Sequence, residues 1–545
     1  MKRKIKKSNI KALLINQKGF ALITTIIFVF ILSTLGVALL TMTSSDIKLS
    51  TLQRDSTEAF YLAESGIDRA LAWLQQHGAP AEDYINNNFN PYVGSLSTGT
   101  YTVTIDSDAN NPNTFTKKYT INSTGVAGVN NSTRKIESVV QVRSFAGYAY
   151  FSDEETFPNN PDIPYAFGYA GGTIWFGDND VIGGKLHSND QIHIYGNPTF
   201  KGKVTSAADS IDYWAGEESY TEDEMAAMFE EGKQLGVARI DLPQYRAVTD
   251  PDNPKSLQRI AWGSSLPVPT DSGVYVPNDG NNVTAGIYVK GDIDALSLGI
   301  NAGNSEVTIN QINEINTITT ITNVSVASSI TLPAGTILND PPPLGAPYTV
   351  PQNTTLIKKE VEGNTIYTSR SGITNGLLYS HGKINSLTGT QKGKLTIAAH
   401  QDIIITDNVV YDSMPENPDY NTLDHTTITD TLGLITEGDV IVSEAWAPYD
   451  IQINAVMMVL GTSFFYEGWY DKYRGTLGFY GSFIQKQRGP VGTFYSSTGQ
   501  KRSGYTKNYY YDQRMSSSYP GMSDSLPPYF PTTGNFDRLS WREVT

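Results

Sequence analysis

The chain has 545 residues, with 40 Lys and Arg against 55 Asp and Glu, a formal net charge of −15 and no cysteine. That length allows several domains with sizeable cores. The acidity disfavours a large phosphate-binding surface, and the missing cysteines exclude disulfide frameworks, thiol nucleophiles and Cys-ligated metals.

The charge is unevenly placed. Seven basic residues and no acid fall in the first 18 positions: Lys2, Arg3, Lys4, Lys6, Lys7, Lys11 and Lys18. Residues 1–19 therefore read as a basic leader. From Gly19 to Ser45 there is no charged side chain, a stretch bounded by Lys18 and Asp46 and long enough to span a bilayer, which takes about 20 residues. A secretory signal has a shorter apolar region followed by small residues at its cleavage site, and Thr41 to Ser45 fit that poorly. The basic flank keeps the N-terminus inside and exports the chain beyond about residue 45.

Beyond Asp46, Leu49, Leu52, Ala59, Phe60, Ala63, Ile67, Ala70, Leu71 and Leu74 recur at intervals near three and four, with charges between them, which predicts an amphipathic helix. No proline interrupts residues 20–79. Span and extension thus form one predicted helix over 20–78, roughly 85 Å long at about 1.5 Å per residue, stopping near Gly78 and Pro80.

Lys18-Gly19-Phe20, the uncharged run, and the segment from Ala59 to Ile67 (Ala-Phe-Tyr-Leu-Ala-Glu-Ser-Gly-Ile) together resemble the class III signal and first helix of type IV pilin-like proteins, closest to minor pilins of the PilX type. The resemblance implies that a prepilin peptidase cuts between Gly19 and Phe20 and methylates the new amine of Phe20. Major pilins usually carry Glu at the fifth mature position, which here is Thr24. A carboxylate at that depth needs a partner, in the family the terminal amine of a neighbouring subunit. Thr24 cannot make that ion pair, as expected of a low-copy minor subunit or a K-type pseudopilin.

Residues 79–148 contain alternating segments at 101–105, 118–121 and 134–142, read as a small antiparallel sheet packed on the helix, like a pilin head. The turn at 106–111 is rich in Asp and Asn but lacks the Gly and closing Glu of an EF-hand loop, so it reads as a solvated turn. Across 149–490 a unit of short apolar strand, Gly or Asp corner and alternating Ile or Val recurs at 185–194, 286–293, 394–405 and 434–442, more loosely at 376–384. Such units cannot bury their faces alone and point to stacked rungs, a β-solenoid or parallel β-helix, with a β-sandwich as competitor. A helical insertion is expected near 207–265, where Thr221 and Glu224 form a capping-box pattern opening a helix through about Lys233. Pro341, Pro342 and Pro343 mark a stiff loop. Residues 491–545 form an aromatic tail, expected to cap the open end of the stack. The fold class is α+β: a long N-terminal helix with a small antiparallel sheet, then a mainly β, solenoid-like domain.

Chemistry is sparse. Of six histidines, His187 and His193 share a strand face by even spacing, but no third ligand or HExxH accompanies them; His77, His381, His400 and His425 are scattered. Asp178 with Asp180, and Asp402 with Asp407, are spaced like paired carboxylates, a pattern turns also produce. No cofactor, metal, catalytic residue or nucleic-acid partner is expected. The reading is a minor pilin-like structural subunit of a type IV pilus or related pseudopilus. It is held in the cytoplasmic membrane as a single-pass precursor, with its head outside the membrane at the filament tip, priming assembly or adhering to surfaces. Its expected partners are other pilins and minor pilins, the prepilin peptidase, the pilus assembly platform, and a surface or glycan ligand. The alternative is a membrane-anchored, carbohydrate-binding or carbohydrate-cleaving β-helix protein.

Overall fold

A computed structural model describes residues 17–78, 80–108, 115–128, 130–157, 172–178, 180–244, 256–263, 267–322, 331–332, 348–416, 418–420, 422–495, 500–516, 519 and 522–544. Residues 1–16 of the leader, 109–111 of the turn at 106–111, Pro341 to Pro343 and residues 245–255 and 264–265 of the expected insertion lie outside them. The chain divides into two units, the first formed by Met1–Ser107, Tyr119–Val140 and Ser540–Thr545, the second by Asp108–Lys118 and Gln141–Leu539.

The first unit begins with α1 (Gln17–Gln76), 60 residues and about 90 Å long. It stops where Gly78 takes a positive φ, 58°, a conformation that costs a Cβ-free residue little. Its two halves differ. From Phe20 to Leu52 nearly every side chain is exposed, apolar or not. From Asp55 onward a stripe of Asp55, Ala59, Leu62, Ala63, Gly66, Ile67, Ala70, Trp73 and Leu74 is buried, at the spacing one helix face dictates. Leu49 and Leu52, expected on that stripe, are exposed, while Leu62 and Trp73 were missed.

The stripe lies on an antiparallel sheet. After α2 (Glu82–Asn88) come β1 (Tyr92–Leu96), β2 (Gly99–Ser107), β3 (Lys118–Ala127) and β4 (Ser132–Ser144), each paired with its neighbour, followed by the C-terminal strand Thr532–Val544 beside β4. The expected strands are therefore present and longer, but β1 and the C-terminal strand were not foreseen. Small residues set the distance between helix and sheet. A Cβ on Gly125 of β3 would lie 2.0 Å from the Ala59 carbonyl, and one on Gly66 of α1 would lie 2.1 Å from Ser123 Oγ. Helix and sheet thus meet at these two positions with no room for a Cβ.

In the second unit, short strands pair in parallel and in register. One ladder runs Ile287–Lys290, Leu377–Ser380, Lys394–Ala399, Thr431–Thr436, Ile451–Val459, Tyr473–Gln487, Tyr150–Glu154, Leu186–Ser188, Val204–Ser206 and Lys233–Gln234. Its register aligns Ile287, Leu378, Ile397, Leu434, Met457, Phe483, Tyr150, Leu186 and Val204 in one column, all buried. A second ladder aligns Leu296, Leu387, Ile405, Val442 and Tyr466. Each recurring sequence unit contributes a strand to these ladders, although His193–Ile194 of the first unit pairs with Asp212–Tyr213 in a separate sheet.

Their corners explain the Gly and Asp. Asp402 Oδ1 accepts from Asp439 N at 3.0 Å, and Asp439 Oδ1 in turn accepts from Thr462 N and Ser463 N, both at 2.9 Å, so each corner satisfies backbone donors of the next. Gly438 and Gly461 permit that approach, since a Cβ on either would lie about 2.5 Å or less from the preceding corner.

Several expectations need correction. Strand order along the first ladder departs from chain order: Tyr150–Glu154, the first of its strands in the sequence, is inserted between Tyr473–Gln487 and Leu186–Ser188. The aromatic segment Lys501–Tyr511 does not cap an open end. It pairs in parallel with residues 473–481, so position 490 divides a continuous pairing. The helix opened by the Thr221 capping box is real, with Glu224 N to Thr221 Oγ1 at 3.2 Å and Thr221 N to Glu224 Oε2 at 2.8 Å, but it ends at Met228. Lys233 lies instead on the last strand of the ladder, where a backbone partner is available. An unforeseen antiparallel meander, Ala295–Asn301, Asn304–Gln311, Glu314–Ile321, Thr354–Val361 and Asn364–Ser371, includes hairpins whose two-residue turns at Ala302-Gly303 and Glu362-Gly363 hold positive φ at both positions.

Candidate functional site

Two regions carry surface that the fold does not use. The first is the N-terminal half of α1. Phe20 is 70% exposed, and Ile23, Ile26, Phe28, Phe30, Leu35 and Leu40 are exposed with it. A helix can present such a surface because its backbone groups are satisfied within the segment. By length and composition α1 is able to cross a membrane. Gly19 and Phe20 lie within the helix, and Thr24 donates back to the carbonyls of Phe20 at 2.9 Å and Ala21 at 3.0 Å. The hydroxyl at the fifth position from Phe20 thus has its partners inside its own helix.

The second is a cleft of about 580 Å³ in the second unit, lined by Trp175, Tyr195, Trp214, Trp469 and Phe494, with Asp178, Asp180, Gln500, Lys501 and Lys507. Arg488, placed just after the long strand Tyr473–Gln487, is its strut. The guanidinium is buried, stands 3.6 Å over the Phe176 ring, pairs with Glu155 at 3.1 Å and donates to the carbonyls of Ile174 and Trp175. This fixes the backbone that presents Trp175. Asp180 accepts from Gly177 N at 3.1 Å and pairs with Lys507 at 3.0 Å. Burial alone would raise its carboxyl, but Lys507 and Arg488 outweigh that and hold it below the usual carboxylate range. Burial, with Lys507 nearby, pushes the Lys501 ammonium down to about 7. Trp214 meets its neighbours edge to face, Trp175 at 5.3 Å and 84° and Tyr195 at 5.9 Å and 66°, while Tyr195 and Phe494 are tilted at 5.2 Å and 38°.

The histidines do not converge on a metal. His187 is buried with Thr205 at 2.8 Å and Asn189 at 3.0 Å, and His193 pairs with Asp212 at 3.0 Å. His400 pairs with Glu437 at 2.6 Å, His425 bonds Tyr480 at 2.8 Å, and His77 bonds its own helix at the Trp73 carbonyl. His381 packs against His400 with ring centroids 5.4 Å apart. Among the described residues no group of three or more His, Asp or Glu is arranged to hold a metal ion. Asp402 caps a corner and Asp407 caps Asn408 N, so that spacing reflects turns. Of the two carboxylate pairs, only Asp178 and Asp180 line the cleft. Sequence reasoning missed Trp175, Trp214, Lys501 and Arg488. No short-range pattern marks them: Trp175 and Trp214 lie outside the strands, and Lys501 opens a strand within a polar run.

Residues 18–68 match the family model described as PilX N-terminal, and residues 114–208 match a domain of unknown function (DUF4900). No curated protein matches the chain. Among solved structures, the crystal structure of the competence-associated pilin ComZ from Thermus thermophilus aligns over 90% of this chain and 97% of its own, at 13% identity and a TM-score of 0.29. The resemblance to PilX-type minor pilins read from Lys18 to Ile67 is borne out by the family match over the same stretch.

Proposed function

We propose that this chain, whose first helix is PilX-like, is a minor structural subunit of a type IV pilus or related pseudopilus. The observation that carries the reading is the bare apolar surface from Phe20 to Leu52 within the PilX-type segment. Such a surface passes from lipid to a filament core when neighbouring subunits replace the lipid, with the helix backbone unchanged. In this reading a prepilin peptidase removes residues 1–19 and methylates Phe20, and the assembly platform extracts the helix from the cytoplasmic membrane. Thr24, self-satisfied at its own helix carbonyls, lacks the carboxylate that would pair with a neighbour's amine, which suits a subunit at or near the tip. In this reading the parallel ladders stack as the rungs of a β-solenoid, carried outside the membrane to prime assembly or contact surfaces.

A structural role is favoured over catalysis. Asp180, one of the two cleft carboxylates, is held ionised by Lys507 and Arg488, the opposite of what a glycosidase general acid needs. The test is the mature N-terminus of the membrane-associated protein in cells with and without prepilin peptidase. N-methylated Phe20 that disappears with the peptidase supports the reading, and any other mature terminus overturns it.

A further inference from the structure

We propose that the cleft around Trp175 and Trp214 is a binding site for a neutral saccharide. The inference deepens the surface-contact role above and rests on it for setting, while its chemistry stands on the cleft.

The volume, about 580 Å³, falls within the roughly 300–1,000 Å³ typical of ligand sites. Trp214 is 60% exposed, and its contacts with Trp175 and Tyr195 are edge to face. An indole left so exposed at the mouth of a formed cleft retains apolar area that a flat ligand can cover. The polar lining selects what kind of ligand. Asp178 supplies an acceptor, Lys501 a donor and Thr506 both, while Asp180 and Lys507 pair with each other. Carboxylates and amines are equal in number, so neither an anion nor a cation finds an excess of opposite charge. A neutral polyol needs none. A pyranose has apolar C–H faces to lie on an indole and a rim of hydroxyls that both donate and accept, matching both halves of this lining.

The site is also built to stay in shape. Arg488 ties the Trp175 carbonyl and the Glu155 carboxylate into the ladder, and Asp178 holds Asn197 N at 2.8 Å next to Gly196, where a Cβ would lie 1.8 Å from that carboxylate. The backbone that presents Trp175 is therefore set before a ligand arrives, which lowers the ordering cost of binding.

The experiment titrates the full chain, in a zwitterionic detergent free of sugar headgroups, with maltotetraose, cellotetraose and chitotetraose, and with tetragalacturonate as the charged probe, following tryptophan fluorescence. Saturable binding of at least one neutral tetrasaccharide is expected, weakened about tenfold or more in Trp214→Ala and unchanged in Trp446→Ala, an exposed tryptophan outside the cleft lining. Trp214 is exposed enough that its loss leaves folding intact, and Asp178→Asn supplies a second cleft variant, expected to weaken binding. No saturation with any neutral probe, tighter binding of tetragalacturonate, or neutral-sugar binding indifferent to both cleft variants overturns the proposal. The measurement needs no filament, so its outcome is independent of the mature-terminus test.

Discussion

The apolar residues of Phe20 to Leu52 and those of the Ile287-to-Val204 column are alike in kind, mostly Ile, Leu, Val and Phe, yet the first are bare and the second are fully enclosed. The difference lies in the backbone. A helix closes its N–H and C=O groups within itself, so it can hold an apolar surface open for lipid or other subunits. A strand leaves its backbone groups unpaired until other strands lie beside it, and stacking that pairs the backbone buries the side chains too. One region is thus stable with its hydrophobic surface unspent, whereas the other exists only because that surface is consumed.

The contrast can be broken most severely by placing a carboxylate in each region. Met457→Asp should cost about 3–5 kcal/mol or more, because it leaves an unpaired charge in the ladder core, and should abolish the cooperative unfolding transition of the second unit seen by tryptophan fluorescence. Ile31→Asp should leave that transition where it is, while the roughly 2.5–3.5 kcal/mol cost of a charge at mid-membrane depth lowers membrane integration in a fractionation assay. Equal effects of the two on unfolding would erase the distinction.

The enclosed region should also respond to pH at Lys501. Its ammonium titrates near 7 when folded and near its ordinary 10.5 when unfolded, so the folded chain binds fewer protons between those values. Its contribution to stability therefore rises as pH goes from about 7 to 10.5 and is lowest below 7. Comparing urea midpoints of wild type and Lys501→Met across that range should show the wild type gaining on the variant as pH rises.

A smaller test addresses where α1 changes character. Gly125→Val should destabilise the first unit by about 1–3 kcal/mol by forcing Cβ against the Ala59 carbonyl, read as faster amide exchange in β3. Asp439→Ala, which strips the acceptor from Thr462 N and Ser463 N, should cost about 1–2 kcal/mol in the second unit's denaturation midpoint. Least of all, Thr24→Ala should change helicity and thermal stability by no more than about 0.5 kcal/mol, because it removes only a bond from the helix to itself.

Local features are legible along the chain: the span from Gly19, the amphipathic stripe from Ala59 to Leu74, the capping box at Thr221, three strands of the small sheet and the Gly-Asp corners. Each of these rests on periodicity or on a side chain serving a backbone group a few residues away, so neighbours in the chain suffice to reveal it. Folding in three dimensions is what sets Tyr150–Glu154 between strands more than 30 and more than 300 residues distant, joins Thr532–Val544 to the first sheet, and brings Trp175, Trp214, Trp469 and Lys501 to one cleft. Parallel pairing carries no short-range signature. Its hydrogen bonds form between distant segments, and strands buried on both faces lose the alternation that would mark which side faces in.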